Sequence, residues 1–261
     1  MSAKRQAEIA RSFGAASDYA AQARMQRIAA DMLAQRVAAL GLDAPHLLEI
    51  GCGTGFLTSA MRMRGMGGEW LVTDLSPAMV DRCRETMGDD PALHFARFDA
   101  ASGDAPSGGP FDIVTASLAV QWLGPLEPVV ERMLGWLKPG GHLIFNTLGS
   151  RTFAAWNAAL AQAGAKPGTL PLEDAAHIAA IRPDLQAAAT HIELLQEDHA
   201  DARAFLSALR GIGATVPAPG HRPVSAAALR GAMRQLDADA REDGVVRIGY
   251  ELVTCHYTRP L

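Results

Sequence analysis

The sequence predicts a doubly wound α/β fold, a mostly parallel sheet with helical cap insertions, on three observations. Short apolar runs that read as buried strands recur at 47–50, 69–74, 93–98 and 111–116, with helical patterns between them. The first run leads into a glycine-rich turn, Gly51-Cys52-Gly53-Thr54-Gly55, where ordinary side chains would keep a ligand away from the backbone. The second run closes on an acid, Asp74, and the third is followed by another, Asp99. Ligands in such sheets sit beyond the carboxyl ends of the strands, which is where Gly51, Asp74, Asp99 and Ser117 all fall.

Each element follows from its own pattern. Residues 10–21 carry two aromatics, Phe13 and Tyr19, among small residues, which suits a flap over a site. At 22–40 the apolar residues Met25, Ile28, Met32, Leu33, Val37 and Leu40 recur at helical spacing, a helix packed on the sheet. The glycine turn opens a helix near Phe56. Its spacing is G-x-G-x-G, and Phe56 stands where a dinucleotide fingerprint needs its third glycine, so NAD is disfavoured. Asp74 is placed to accept both hydroxyls of an adenosine ribose, and as a strand-end acid it is not required by the core. Ser76-Pro77 starts a helix that runs to Met87, with serine able to cap and proline at the first position. A helix at 126–137 ends in the turn Lys138-Pro139-Gly140-Gly141, followed by a strand at 142–147. Helices are expected at 151–163, 173–181, 201–209 and 225–241, and a strand at 191–199. The last strand, 245–257, alternates like an edge hairpin arm. One domain over 1–261 accounts for this, with an N-terminal flap at 1–24, a ligand-binding core at 45–148, and completing strands with a cap at 149–261.

Composition narrows the partners. The formal charge is −4 with both signs interspersed, so neither nucleic acid nor a membrane surface is expected to bind. No run approaches the ~20 apolar residues of a spanning helix, and the N-terminus lacks the apolar stretch of a secretory leader. The three cysteines, Cys52, Cys83 and Cys255, form no C-x-x-C pair, so no metal site is indicated and a reducing cytoplasm fits. Cys52 has no base partner in sequence and reads as a small filler. A monomer is expected.

The set Glu49-x-Gly51-x-Gly53-x-Gly55, Asp74, Asp99-Ala100 and Leu137-Lys138-Pro139-Gly140-Gly141 resembles the class I S-adenosylmethionine-dependent methyltransferases, whose sheet is Rossmann-like. Outside that core, the segment with Phe13, Ala16, Tyr19, Ala23, Gln26 and Arg27, the run Ser117-Leu118-Ala119-Val120-Gln121-Trp122, and Leu209-Arg210-Gly211-Ile212-Gly213-Ala214 resemble the malonyl-[acyl-carrier protein] O-methyltransferase family of biotin synthesis. The resemblance implies that Gly51 and Gly53 pass the methionine part of S-adenosylmethionine, that Asp74 binds its ribose, and that Asp99 with the Ala100 backbone reads its adenine. Glu49, Gly55 and Leu75 complete the cofactor-binding set, with Ser117 and Leu118 beside the methionine group. Tyr19, Gln26 and Trp122 are implied to border the methyl-transfer chamber as the catalytic residues. The implied substrate is malonyl-acyl carrier protein or malonyl-CoA.

A carboxylate acceptor with a reference pKa near ~4 is already ionised at neutral pH, so no general base is needed. Alignment and the shedding of water then carry the rate. A cation should meet that carboxylate, and Arg24, Arg27 or Arg151 could supply it. Two other readings stay open: a methyltransferase for another small acid or small-molecule nucleophile, and a non-catalytic cofactor-binding partner.

Overall fold

The computed structural model describes residues 3–15, 22–185, 190–214, 216–240 and 244–261. A seven-stranded sheet runs through it: β1 (Leu47–Ile50), β2 (Trp70–Asp74), β3 (Leu93–Arg97), β4 (Phe111–Ser117), β5 (Leu137–Leu148), β6 (His191–His199) and β7 (Val246–Thr258), in the order β3-β2-β1-β4-β5-β7-β6. Neighbouring strands from β3 to β5 are parallel, and β7 runs antiparallel between β5 and β6. Strand order reverses at β1, whose neighbours β2 and β4 lead off in opposite directions, so a crevice opens beyond the carboxyl ends of β1 and β4.

The helices are α1 (Ala3–Gly14), α2 (Arg24–Ala38), α3 (Phe56–Met63), α4 (Pro77–Met87), α5 (Leu126–Gly135), α6 (Ala154–Gln162), α7 (Ala175–Ala179), α8 (Ala202–Gly211) and α9 (Ala226–Ala238). Successive strand residues face opposite ways, so Leu47 packs in one core layer with Leu33 and Val37 of α2 and Leu57 and Met61 of α3, while Leu48 packs in the other with Val130 and Met133 of α5. A third cluster joins α6, α8 and α9 to β7 through Trp156, Phe205, Leu236 and Tyr250, which makes the cap part of the sheet's far end.

Three local readings are corrected. The final strand is no edge arm; it lies inside the sheet, and β6 is the edge. Two of its polar residues are buried against distant partners: Glu251 against Arg151, and Tyr250 against Glu197. The stretch Lys138-Pro139-Gly140-Gly141 is taken into β5 as an irregularity, since Leu137 already pairs with Phe111 before the register shifts to Ile113 with His142. Ser76 makes no side-chain cap for α4; its backbone N–H instead donates to Asp74 Oδ1 at 2.8 Å. Asp201 and Ser225 do cap α8 and α9, accepting from the N–H groups of Ala204 and Ala228.

Candidate active site

A cavity of about 730 Å³ occupies the crevice. That is within the range of pockets that enclose a nucleoside-sized ligand. Its floor is the set of turns that leave β1, β2, β3 and β4, and its roof comes from α1, the start of α2 and the cap.

The glycine turn follows β1 because three of its residues take left-handed φ, +70° at Gly51, +54° at Gly53 and +92° at Gly55. A Cβ on Gly51 would stand 2.5 Å from that of Ala119, so the turn presses against the chain leaving β4. Gly51 and Gly53 line the cavity. Gly55, expected in the ligand-binding set with them, is not among the lining residues; a Cβ there would meet Cys83 Sγ at 3.1 Å, so it serves the packing of α3 on α4.

Asp74 lines the cavity, and both carboxylate oxygens are already anchored: Oδ2 accepts from the Gly53 N–H at 3.0 Å and Oδ1 from the Ser76 N–H. Besides facing the cavity, this acid ties the glycine turn to the start of α4. Each oxygen keeps a second lone-pair direction for a ligand. Burial raises the Asp74 carboxyl above its usual range, against the pull of those N–H donors. Leu75 beside it lines the cavity too.

Glu49 is buried beneath the turn, its Oε2 accepting from Thr58 Oγ1 at 2.7 Å, and burial lifts its carboxyl to about 7. Asp99 and Ala100 follow β3 into the cavity wall; Asp99 accepts from the Ala101 N–H and, through Oδ2, from Gln6 Nε2 of α1 at 2.7 Å. Cys52 is a free, buried thiol that its hydrogen bond with Cys83, burial and nearby negative charge push well above the usual range, which makes it inert as a nucleophile.

Ser117 and Leu118 end β4. Leu118 has φ +49°, a left-handed conformation that an L side chain resists. Asn146, fully buried on β5, holds that corner: its Oδ1 accepts from the Leu118 N–H at 2.9 Å and from Ser117 Oγ at 3.2 Å, while its Nδ2 donates to the Ala29 carbonyl. Sequence reasoning passed over Asn146. The available signal was a lone amide in the apolar run Leu143-Ile144-Phe145, because a polar group there must find partners.

Gln26 and Trp122 both face the cavity, Trp122 at the end of a 3₁₀ turn (Val120–Trp122) with Phe13 of α1 edge-on to it at 5.3 Å. Tyr19 lies outside the described residues. Also unforeseen was the extent of the α1 contacts: besides Gln6 on Asp99, Ser12 Oγ donates to the Gly213 carbonyl at 2.7 Å, Arg5 to the Pro217 carbonyl at 2.8 Å, and Arg82 to the Gly14 carbonyl at 3.0 Å. The two glycines of Leu209-Arg210-Gly211-Ile212-Gly213-Ala214 explain that motif. A Cβ on Gly211 would strike Gln22 Cγ at 2.7 Å, and one on Gly213 the Ser12 carbonyl at 2.7 Å, so the cap can close on α1 and the approach to α2 only with glycine at both places. Among the described residues no cluster of metal ligands is present, and no helix is long and apolar enough to cross a membrane.

Sheet order, glycine turn and strand-end acids together define a class I, Rossmann-like methyltransferase fold. The methyltransferase domain family matches residues 48–143. A Bacillus halodurans protein described as a methyltransferase superposes with a TM-score of 0.62 over 88% of this chain and 99% of its own, at 14% identity, and the YcgJ protein of Bacillus subtilis with 0.59 over 88% and 98%, also at 14%; these show the fold alone. The malonyl-[acyl-carrier protein] O-methyltransferase of Magnetococcus marinus is 35% identical over 98% of this chain and 93% of its own length. The biotin biosynthesis bifunctional protein BioCD of Bordetella avium is 40% identical over 88% of this chain, which spans about half, 48%, of that longer relative. The chain belongs to the malonyl-[acyl-carrier protein] O-methyltransferase family.

Proposed function

We propose that this chain transfers a methyl group from S-adenosylmethionine to the free carboxylate of a malonyl thioester, carried on acyl carrier protein or coenzyme A, in an early step of biotin synthesis. The observation that carries the acceptor is the likeness to the Magnetococcus enzyme over nearly the whole of both chains, cap included. What supports the cofactor is the fit of the cavity floor. Gly51 and Gly53 leave bare backbone for the methionine part, Asp74 is fixed with lone pairs to spare for two ribose hydroxyls, and Asp99 and Ala100 lie one strand further for the adenine. Leu75, Ser117 and Leu118 flank those places, Glu49 lies beneath them, and Gln26 and Trp122 border the chamber where transfer takes place; Tyr19, which the family resemblance puts with them, lies outside the described residues.

When bound, the cofactor supplies a sulfonium-activated methyl group, which a carboxylate takes with one C–O bond formed, one C–S bond broken and no proton to move. The residues around it therefore align the reactants and exclude water. We read 1–24 as a lid that includes α1, 45–148 as the cofactor-binding core, and 149–261 as completing strands and acceptor cap of a single domain. The place of action is the cytoplasm, with the protein a monomer, and neither nucleic acid nor membrane takes part.

The test is mass spectrometry of malonyl-acyl carrier protein and malonyl-CoA after incubation with enzyme and cofactor. A gain of one methyl on the thioester is expected, faster on the carrier protein. Methylation of neither, with a free small acid methylated instead, would hand the chain to the broader reading.

A further inference from the structure

The acceptor of the proposed reaction is an anion, and the cavity that must take it already holds three carboxylates, Glu49, Asp74 and Asp99. A further negative charge there calls for a cation besides the sulfonium that the cofactor brings. The three arginines that the sequence offered do not line the cavity. Arg151 is committed to Glu251, its Nε 2.6 Å from Oε1, and Arg27 lies over the Phe56 ring at 4.6 Å. Among the described residues, the one arginine or lysine in the cavity wall is Arg210.

Arg210 stands in the last turn of α8, beside Leu206 and Leu209, which also line the cavity. The backbone there is pinned. Its carbonyl accepts from the Gly213 N–H at 3.0 Å, and the next residue, Gly211, packs against Gln22 too closely for a side chain. No acid pairs with Arg210 among the described residues. A guanidinium carried on a pinned backbone, exposed at the cavity wall and with its donors uncommitted, is suited to a planar carboxylate.

Resting on the function proposed above, we propose that Arg210 recognises the carboxylate of the acceptor and so sets the preference for a malonyl thioester over a neutral acyl thioester. One carboxylate oxygen, or one lone pair of it, is held while the other stays free to attack. The product ester is neutral, so the ion pair is lost as the reaction completes, which favours release.

The test compares the full-length chain with Arg210→Met and Arg210→Lys on two acceptors, malonyl-CoA and the short malonyl thioester of N-acetylcysteamine, which lacks the phosphates. Loss of a charge-assisted contact should raise KM for both acceptors by about 10- to 150-fold in Arg210→Met. Arg210→Lys should recover part of it, since it keeps the charge and loses the fork. Calorimetric affinity for S-adenosylhomocysteine should be unchanged, which also reports an intact fold, and so should inhibition by neutral butyryl-CoA. An unchanged KM overturns the assignment. A loss on malonyl-CoA that spares the short thioester also overturns it, by moving Arg210 to the phosphates, as does equal weakening of butyryl-CoA. If the native chain methylates neither thioester, the proposed function fails first and takes this assignment with it.

Discussion

At the scale of single residues, the cavity floor is built from acids whose burial is only partly compensated. Glu49 shows the consequence most clearly. Its carboxyl rises from 4.5 to about 7 because burial disfavours the anion by more than the Thr58 hydrogen bond favours it, and the nearby Asp74 adds a smaller repulsion. In the unfolded chain the group ionises near its ordinary value, so between about pH 4.5 and 7 the folded state binds more protons than the unfolded one. Stability from this site is therefore full below about 4.5 and falls as pH rises to about 7, by about 3 kcal/mol in all. Glu49→Gln keeps an acceptor for Thr58 and cannot ionise. Urea unfolding of the ligand-free protein should find the variant equal to the native chain at pH 4 and more stable at pH 8; stability differences that stay constant with pH would remove Glu49 as the source.

At the scale of elements, what could be read from the sequence depended on whether an element's partners are near it in the chain. The strands β1 to β4 are short apolar runs closed by turns, and their pattern is local, so each was legible to within a residue or two; β6 was legible at its full span. The interior position of β7 was not, because polar residues on both of its faces find partners in Arg151, Glu197 and His142, more than 50 residues away in each case. Helix α1 was also hidden, having Ile9 and Phe13 as its large apolar anchors among small and polar residues, and sequence placed a flap at 10–21 instead. That composition has its own consequence. An element with two apolar anchors and a handful of polar ties opens at low cost, and ligand beneath it should raise that cost. Amides of 3–14 should exchange more slowly when S-adenosylhomocysteine is bound, on the minutes timescale. Equal protection in both states would make α1 fixed structure and end its reading as a lid.

At the scale of the whole molecule, the cofactor half of the candidate site was legible and the acceptor half was not. Gly51, Gly53, Asp74 and Asp99 sit at strand ends, where chain direction alone fixes their location, whereas Arg210, Phe153 and Leu229 reach the same cavity only once the cap has folded over the far end of the sheet. The cap also carries an uneven charge. From 202 to 236 there are five arginines, Arg203, Arg210, Arg222, Arg230 and Arg234, and no aspartate or glutamate, in a chain whose net charge is −4. All five are exposed. Arg203 and Arg210 are seven residues apart on α8, and Arg230 and Arg234 four apart on α9, so each pair shares a helix face. An acidic carrier bringing its thioester to this cavity would meet attraction there that a small thioester feels only at Arg210. Such long-range attraction is screened beyond about 8 Å at physiological salt and beyond about 3 Å at 1 M. Raising sodium chloride from low to high concentration should therefore raise KM for malonyl-acyl carrier protein much more steeply than KM for the malonyl thioester of N-acetylcysteamine. Replacing Arg203, Arg230 and Arg234 together by glutamine, away from the cavity wall, should flatten the salt dependence of the carrier-bound substrate and leave the short thioester as it was. Equal salt dependence of the two substrates in the native chain would mean that the carrier docks elsewhere.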